Sequence, residues 1–269
     1  MKIKSPLRYP GGKSKAIKKI IPFVPEFEEY REPFVGGGSV FIELKQLFPK
    51  RFYWINDKNE NVYLFWKYIQ YDWVAFSMIV ECLYEEYSGR GKDLFNFLND
   101  NKNYRRDFDD ITLAARFFIL NRITFSGTVD SGGYSQQAFE KRFTRSSIDR
   151  LVKLRHIMDY AKITNYDYKR IITKDGSDVF IYLDPPYYSN KKSNLYGKNG
   201  DLHGSFDHLY FSKIMRDINH KWLITLDDCD EIRDMFSYAD IIPWNLQYGM
   251  NNIGGKRANG GKELFIKNY

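Results

Sequence analysis

Cysteine and histidine are scarce: the 269 residues contain two of the first and four of the second. Cys82 and Cys229 show neither a pairing pattern nor metal-ligand spacing, which excludes a disulfide scaffold; two buried, reduced thiols are expected. Four scattered histidines give no zinc pattern, so no metal is expected. Long apolar runs are missing as well. None approaches the roughly 20 residues of a membrane span. Met1-Lys2-Ile3-Lys4-Ser5-Pro6 lacks the apolar core of a signal peptide. A cytoplasmic protein with no membrane partner is expected. Acid is in deficit: 34 Asp and Glu face 41 Lys and Arg, giving a formal net charge of +7 and favouring a polyanionic partner.

What is present is the composition of a globular chain, long enough for one large domain or for one domain carrying an insert. Aromatic residues reach 17%, which serves core packing and leaves rings over for base stacking. The most informative stretch is Asp184-Pro185-Pro186-Tyr187, which follows the apolar run Asp178–Leu183. Such a run reads as a buried strand of a parallel sheet, and ligands sit at the carboxyl ends of these strands. The prolines fix φ and donate no hydrogen bond, so the turn is stiff. Asp184 and the Pro185 carbonyl can accept hydrogen bonds from an amine conjugated to a ring, such as adenine N6. Tyr187 or Tyr188 can stack on that ring. Taken alone, the tetrapeptide is equally well a strand-ending turn.

Upstream, Tyr9-Pro10-Gly11-Gly12-Lys13-Ser14 precedes a helix expected from Lys15 to Pro22. It is not a P-loop, because position 7 is Leu where that pattern needs Gly. It is a glycine turn beside a lysine, suited to a carboxylate or a phosphate. A strand then runs into Gly36-Gly37-Gly38 and a helix Ser39–Gln46, the opening of a nucleotide-binding unit. The third fingerprint position is Phe41, which disfavours a pyrophosphate. Asp57 ends the next strand, Arg51–Asn56, about 20 residues beyond the loop, where such folds place a carboxylate on a ribose. A nucleoside cofactor without a pyrophosphate is S-adenosylmethionine.

The strand–helix alternation breaks between Trp66 and Arg155. Helices are expected at Trp73–Tyr87, Asp93–Lys102 and Ile111–Arg122, and a hairpin or loop at Phe125–Tyr134. Ser88–Arg155 holds 13 Lys and Arg against 8 Asp and Glu, so most of the surplus charge lies in the segment that looks inserted. Arg105, Arg106, Arg116, Arg122, Lys141, Arg142 and Arg145 are collectively candidates for phosphate contacts; singly, each is more often a solvated charge or part of a local ion pair. The sheet resumes at Lys162–Asn165, followed by Asp167 and Tyr168, which suit a cofactor adenine or a helix cap. Ser189–Ser205, with Lys191 and Lys192, reads as a loop beside the site. Further strands are expected at Lys221–Leu226, Tyr238–Ile242 and Lys262–Lys267, with a loop from Tyr248 to Gly261.

In this order the pieces resemble the D12-class DNA adenine-N6 methyltransferases. The residues that carry the resemblance are Tyr9–Lys13, Glu32–Phe41, Asn56-Asp57, Asn121-Arg122, Asp184–Tyr187, Phe206-Asp207-His208 and Glu263–Tyr269. The resemblance implies a Rossmann-like α/β methyltransferase sheet formed by residues 1–65 and 156–269. A mainly helical target-recognition domain, 66–155, would be inserted, with a hairpin near 123–140. It places Lys13 on the methionine carboxylate and Tyr9, Phe34, Gly36 and Gly38 around the cofactor. Asp57 would take the ribose, Asp167 and Tyr168 the cofactor adenine, and Asp184 the target amine and the methionine ammonium. Asn121 and Arg122 would approach DNA, with Phe125 as a wedge replacing a flipped base. The implied activity is site-specific methyl transfer to adenine N6 in double-stranded DNA, by a restriction–modification enzyme with a cognate endonuclease or by an orphan or phage methylase. An RNA or protein amine methyltransferase, or a non-catalytic DNA-binding subunit, is the alternative. The run Ser126–Ser131 departs from that of the Dam enzymes, so their target sequence is not carried over.

Overall fold

The computed structural model describes residues 2–9, 11–99, 108–129, 132–188, 206–246 and 261–269. A broken helix opens the chain: a 3-10 turn at Lys13–Lys15, α1 (Ile17–Ile20) and a second 3-10 turn at Ile21–Phe23, which holds Pro22. Next come β1 (Glu29–Glu32), α2 (Ser39–Leu47), β2 (Phe52–Asn56) and α3 (Glu60–Tyr71). A helical stretch follows, made of α4 (Trp73–Glu86), α5 (Gly91–Asn99), α6 (Asp110–Ile123), α7 (Gln136–Arg142) and α8 (Arg145–Arg155). The chain then returns to alternation with β3 (Ala161–Thr164), α9 (Tyr168–Ile172), β4 (Val179–Leu183) and α10 (His208–Arg216). It continues with β5 (Lys221–Asp227), α11 (Asp230–Met235), β6 (Asp240–Leu246) and β7 (Gly261–Lys267).

The strands form one seven-stranded sheet in the order β3-β2-β1-β4-β5-β7-β6. The first five are parallel, and β7 runs antiparallel between β5 and β6. This is the expected Rossmann-like α/β sheet. The chain leaves β1 in one direction to β2 and β3, then returns to lay β4 and β5 on the other side. The carboxyl ends of β1 and β4 therefore flank the switch point where ligands of such sheets bind.

All five residues of β4 are buried, as a strand covered on both faces requires. Their alternation divides two cores. Phe180 and Tyr182 join Tyr30, Tyr53 and Phe41 on one face; Ile181 and Leu183 join Phe211, Trp222 and Ile224 on the other. The first core does not stop at the sheet. It continues through Phe65, which stacks on Phe118 of α6 at 6.1 Å, to Leu151 of α8. Every residue of α6 from Leu113 to Ile123 is buried. The expected boundary at residue 66 falls inside α3, and the helices at 66–155 share the core of the sheet.

Where a hairpin or loop is expected, Thr124 and Tyr134 form an antiparallel bridge, a 3-10 turn spans Phe125–Gly127, and 136–142 is helical. Asp130 and Ser131 lie outside the described residues, as do the loops expected at 189–205 and most of 248–261. Cys82 is exposed and Cys229 only part-buried; both are free thiols. Cys82 falls on the outer face of α4 in step with exposed Val74 and Met78, four residues apart along a helix.

Two glycines at the site cannot be replaced without cost. Gly38, at φ +63°, is the N-cap of α2, and a Cβ there would stand 2.5 Å from the Trp66 ring. Gly36, at φ +44°, would place its Cβ 2.7 Å from the Tyr9 ring. Gly38→Ala is expected to cost roughly 1–3 kcal/mol from backbone strain and overpacking. A urea titration showing wild-type stability would contradict that packing.

Candidate active site

Asp184 follows the last residue of β4 and is held by two side chains. The Lys13 ammonium, 3% exposed, lies 2.8 Å from each of its carboxylate oxygens and 3.0 Å from the Gly11 carbonyl. Thr225, on neighbouring β5, donates to Asp184 Oδ1 at 2.8 Å. The single Thr225 proton is spent there, so Tyr182 is the donor in its 3.1 Å contact with Thr225 Oγ1. A buried chain thus runs from Tyr182 through Thr225 to Asp184.

The rest of the turn is equally fixed. The Tyr188 amide donates to Asp227 Oδ1 at 2.8 Å. His208, at the start of α10, lies 2.7 Å through Nε2 from the Pro186 carbonyl, so that nitrogen carries the proton. This contact gives Phe206-Asp207-His208 a structural meaning. Asp207 caps the helix by accepting from the Tyr210 amide, and His208 braces the turn. The Lys13 ammonium sits 4.9 Å from the centre of the Tyr187 ring, and the buried Tyr187 hydroxyl stands beside Glu263.

The adjoining edge of the sheet carries the other predicted groups. Asp57, beyond β2, accepts from the Gly36 amide at 2.8 Å through Oδ2 and from the Asn59 amide at 2.9 Å through Oδ1. Trp66 Nε1 donates to the Gly36 carbonyl at 3.0 Å. The glycine loop is therefore gripped from both sides. Asn59 caps α3 by accepting from the Asn61 amide. Phe34 packs at 5.4 Å from Tyr168, and Phe206 and Phe211 close the same aromatic cluster. Asp167 is exposed and caps α9 by accepting from the Lys169 amide at 3.0 Å. Asp167, Asp57, Gly36 and Asp184 thus follow one another beyond the carboxyl ends of β3, β2, β1 and β4.

Two acids of this site were not singled out as site residues in the sequence. Glu32 ends β1, 3% exposed, and accepts from the Tyr30 hydroxyl at 2.7 Å. Burial, with Asp184 and Asp57 nearby, lifts its carboxyl to about 8 against the pull of hydrogen bonds from Tyr30 and the Phe41 amide. Glu263, 1% exposed on β7, stands among Lys13, Asp184, Tyr187 and Asp227, and burial lifts it to about 7. Burial likewise lifts Asp57 to about 6. Among the described residues Lys13 is the cation that acts on Glu263, and the site gathers four carboxyl groups, Glu32, Asp57, Asp184 and Glu263, whose charged forms a bound cation would favour. The one sequence signal was their place in the resemblance, Glu32 before Pro33 and Glu263 in the closing strand.

The residues expected to meet DNA divide into three groups. Arg116, Asn121 and Arg122 are interior instead. Arg116 donates to the Leu98 carbonyl at 2.7 Å and to Asn99, tying α6 to α5. Asn121 accepts from the Arg8 amide at 2.8 Å and donates to the Arg8 and Gly127 carbonyls. Arg122 donates to the Arg142 and Pro6 carbonyls, each at 2.8 Å. The pair fastens the N-terminal segment to the loop behind Phe125. Lys141, Arg142, Arg145 and Phe125 are exposed, Phe125 by 62%. Arg105, Arg106, Lys191 and Lys192 lie outside the described residues. Asn121→Ala leaves three backbone groups without their partner and is expected to cost roughly 3 kcal/mol or more. A melting curve unchanged from wild type would contradict it.

Among the described residues no helix is long and apolar enough to cross a membrane, and no group of His, Cys, Asp and Glu is placed to hold a metal. The sheet order, the glycine loop and the acid-Pro-Pro-Tyr turn at the switch point define a Rossmann-like transferase of the methyltransferase type. The chain belongs to the D12 class of N6 adenine-specific DNA methyltransferases, whose family model matches residues 9–250. It is 25% identical to the type II methyltransferase M.MjaIII of Methanocaldococcus jannaschii over the whole of both chains. It is 22% identical to the type II methyltransferase M.CviBI of Paramecium bursaria Chlorella virus NC1A, over 98% of each. With a DNA adenine methylase of Vibrio cholerae it shares 25% identity over 67% of this chain and 64% of that one.

Proposed function

We propose that the chain transfers a methyl group from S-adenosylmethionine to N6 of an adenine extruded from duplex DNA. The observation that carries this is the state of Asp184, locked in place at the switch point with hydrogen-bond capacity to spare. A carboxylate offers about four lone-pair positions. Lys13 and Thr225 fill both on Oδ1, and Lys13 takes one on Oδ2. One position on Oδ2 is left for an amine. With the Pro185 carbonyl as second acceptor, the N6 protons are held and the nitrogen is drawn toward a tetrahedral shape that exposes its lone pair.

The residues present fit the cofactor on their chemistry. Glu32, Asp57, Asp184 and Glu263 outnumber Lys13, and S-adenosylmethionine carries a sulfonium and an ammonium besides its carboxylate. When bound, it would supply an electrophilic methyl that passes in line to the amine nitrogen as the carbon–sulfur bond breaks and the neutral thioether leaves. Asp57, ordered by the Gly36 amide, serves its ribose; Phe34 and Tyr168 flank its base, with Asp167 beside them; Tyr9 closes over the glycine loop. Lys13 serves the methionine carboxylate, and when it turns there it frees the second Oδ2 position.

Extruding the adenine costs a few kcal/mol. Stacking on Tyr187 returns roughly 1–3 kcal/mol, and exposed Phe125 fills the gap. Positioning and electrostatics carry the catalysis. In this reading 1–65 and 156–269 perform the chemistry, and 66–155 present the DNA surface. The type II relatives favour a companion endonuclease with the same target. The test is transfer of labelled methyl from S-adenosylmethionine to a mixture of unmethylated genomic DNA, RNA and protein. Label in DNA alone is expected; label in RNA or protein overturns the proposal.

A further inference from the structure

Four arginines gather around the loop that carries Phe125, and none has a carboxylate partner among the described residues. Arg8 reaches the Thr124 carbonyl with Nη1 at 3.2 Å, which puts its guanidinium beside Phe125. Arg142 ends α7, exposed, with its carbonyl taken by the buried Arg122. Arg150, on α8, donates to the Ser146 carbonyl at 3.2 Å. Arg122 feels the other three charges, and Arg8 feels that of Arg142. Burial and then Arg150, Arg8 and Arg142 hold the Arg122 guanidinium below the usual arginine range; burial and then Arg142 do the same to Arg8. The salt bridges nearby belong to others: Arg145 pairs with Glu81 and Asp149, and Arg155 with Asp159.

Like charges held together by backbone hydrogen bonds are unfavourable until an anion joins them. Guanidinium groups suit phosphate because their planar fork offers two parallel donors. We propose that Arg8, Arg142 and Arg150 grip backbone phosphates of the DNA strand beside the step that Phe125 enters. Arg122, 4% exposed, touches no phosphate; it anchors the group and adds to its field. The site rests on the DNA reading above and deepens it. It also gives the N-terminal segment a second task, since Arg8 immediately precedes Tyr9 at the glycine loop. Contacts of this kind position DNA without reading its sequence.

The test is binding of a short mixed-sequence duplex to wild type and to Arg8→Gln, Arg142→Gln and Arg150→Gln over a range of salt concentrations. An unfolding curve for each variant confirms that it is folded. Each variant is expected to bind several-fold more weakly at low salt, with a slope of log affinity against log salt shallower by about 1. Arg145→Gln, whose charge is already paired, is expected to keep the wild-type slope. Variants that keep the wild-type slope, while wild type binds and methylates duplex, overturn the phosphate site alone. A wild type that does neither overturns the proposed function and this site with it.

Discussion

Asp184→Asn is expected to lower methyl transfer on the order of a thousand-fold, about 4 kcal/mol of transition-state stabilisation, and to leave duplex binding within a few-fold of wild type. The amide keeps the shape of the side chain and an acceptor for Thr225, but it loses the charge and the remaining Oδ2 position for the amine. Asparagine is the right replacement because alanine tests two things at once. Lys13 is 3% exposed, and Asp184→Ala strips its ammonium of every hydrogen-bond partner but the Gly11 carbonyl. Breaking a buried pair on one side costs about 3–5 kcal/mol. The double variant Lys13→Met/Asp184→Ala should therefore melt higher than Asp184→Ala and still transfer no methyl. Transfer by Asp184→Asn at near the wild-type rate would remove the acid from the chemistry.

The second large effect is a loss of stability as pH rises through neutrality. Burial raises Glu32 to about 8, Glu263 to about 7 and Asp57 to about 6. Unfolded, such groups titrate near 4. Between those limits the folded chain binds more protons than the unfolded chain, so the unfolding free energy falls with rising pH. The stability is full below the unfolded value and is lost progressively up to about pH 8. For Glu32 alone the span corresponds to several kcal/mol, on the order of 4–5. Glu32→Gln should flatten the dependence and be more stable than wild type at the alkaline end, since Gln keeps an acceptor for the Tyr30 hydroxyl. Urea midpoints at several pH values check this. A cationic cofactor pulls the same carboxyls down, so its binding near pH 7 should release protons, seen as a dependence of the binding heat on the buffer. Midpoints that rise with pH would contradict the buried acid cluster.

The sequence showed those parts of the site that are local and hid those built across it. The β4 run and its turn were legible because every residue of the strand is apolar and buried. The glycine loop was legible because its glycines stand at positive φ or under rings. The Lys13–Asp184 pair spans 171 positions, and no local pattern announces it. Asn121 and Arg122 read as surface residues because they are polar; their partners, Pro6, Arg8 and Arg142, exist only in the folded chain. Pro243 hid the second half of β6. It is tolerated because β6 is an edge strand that pairs only with β7. The helices α7 and α8 were not anticipated, although Ser135 caps the first, Thr144 with Ser147 forms a capping box for the second, and Ile148, Leu151 and Leu154 line the buried face of the second.

The most direct measurement is a sequencing map of N6-methyladenine in unmethylated genomic DNA after incubation with S-adenosylmethionine and either wild type or Asp184→Asn. Methyl-adenine at one short motif, missing with the variant, is the predicted result and supplies the target sequence. DNA free of methyl-adenine although the cofactor binds, or the same map from both proteins, would contradict the account of Asp184 as the acceptor of the adenine amine.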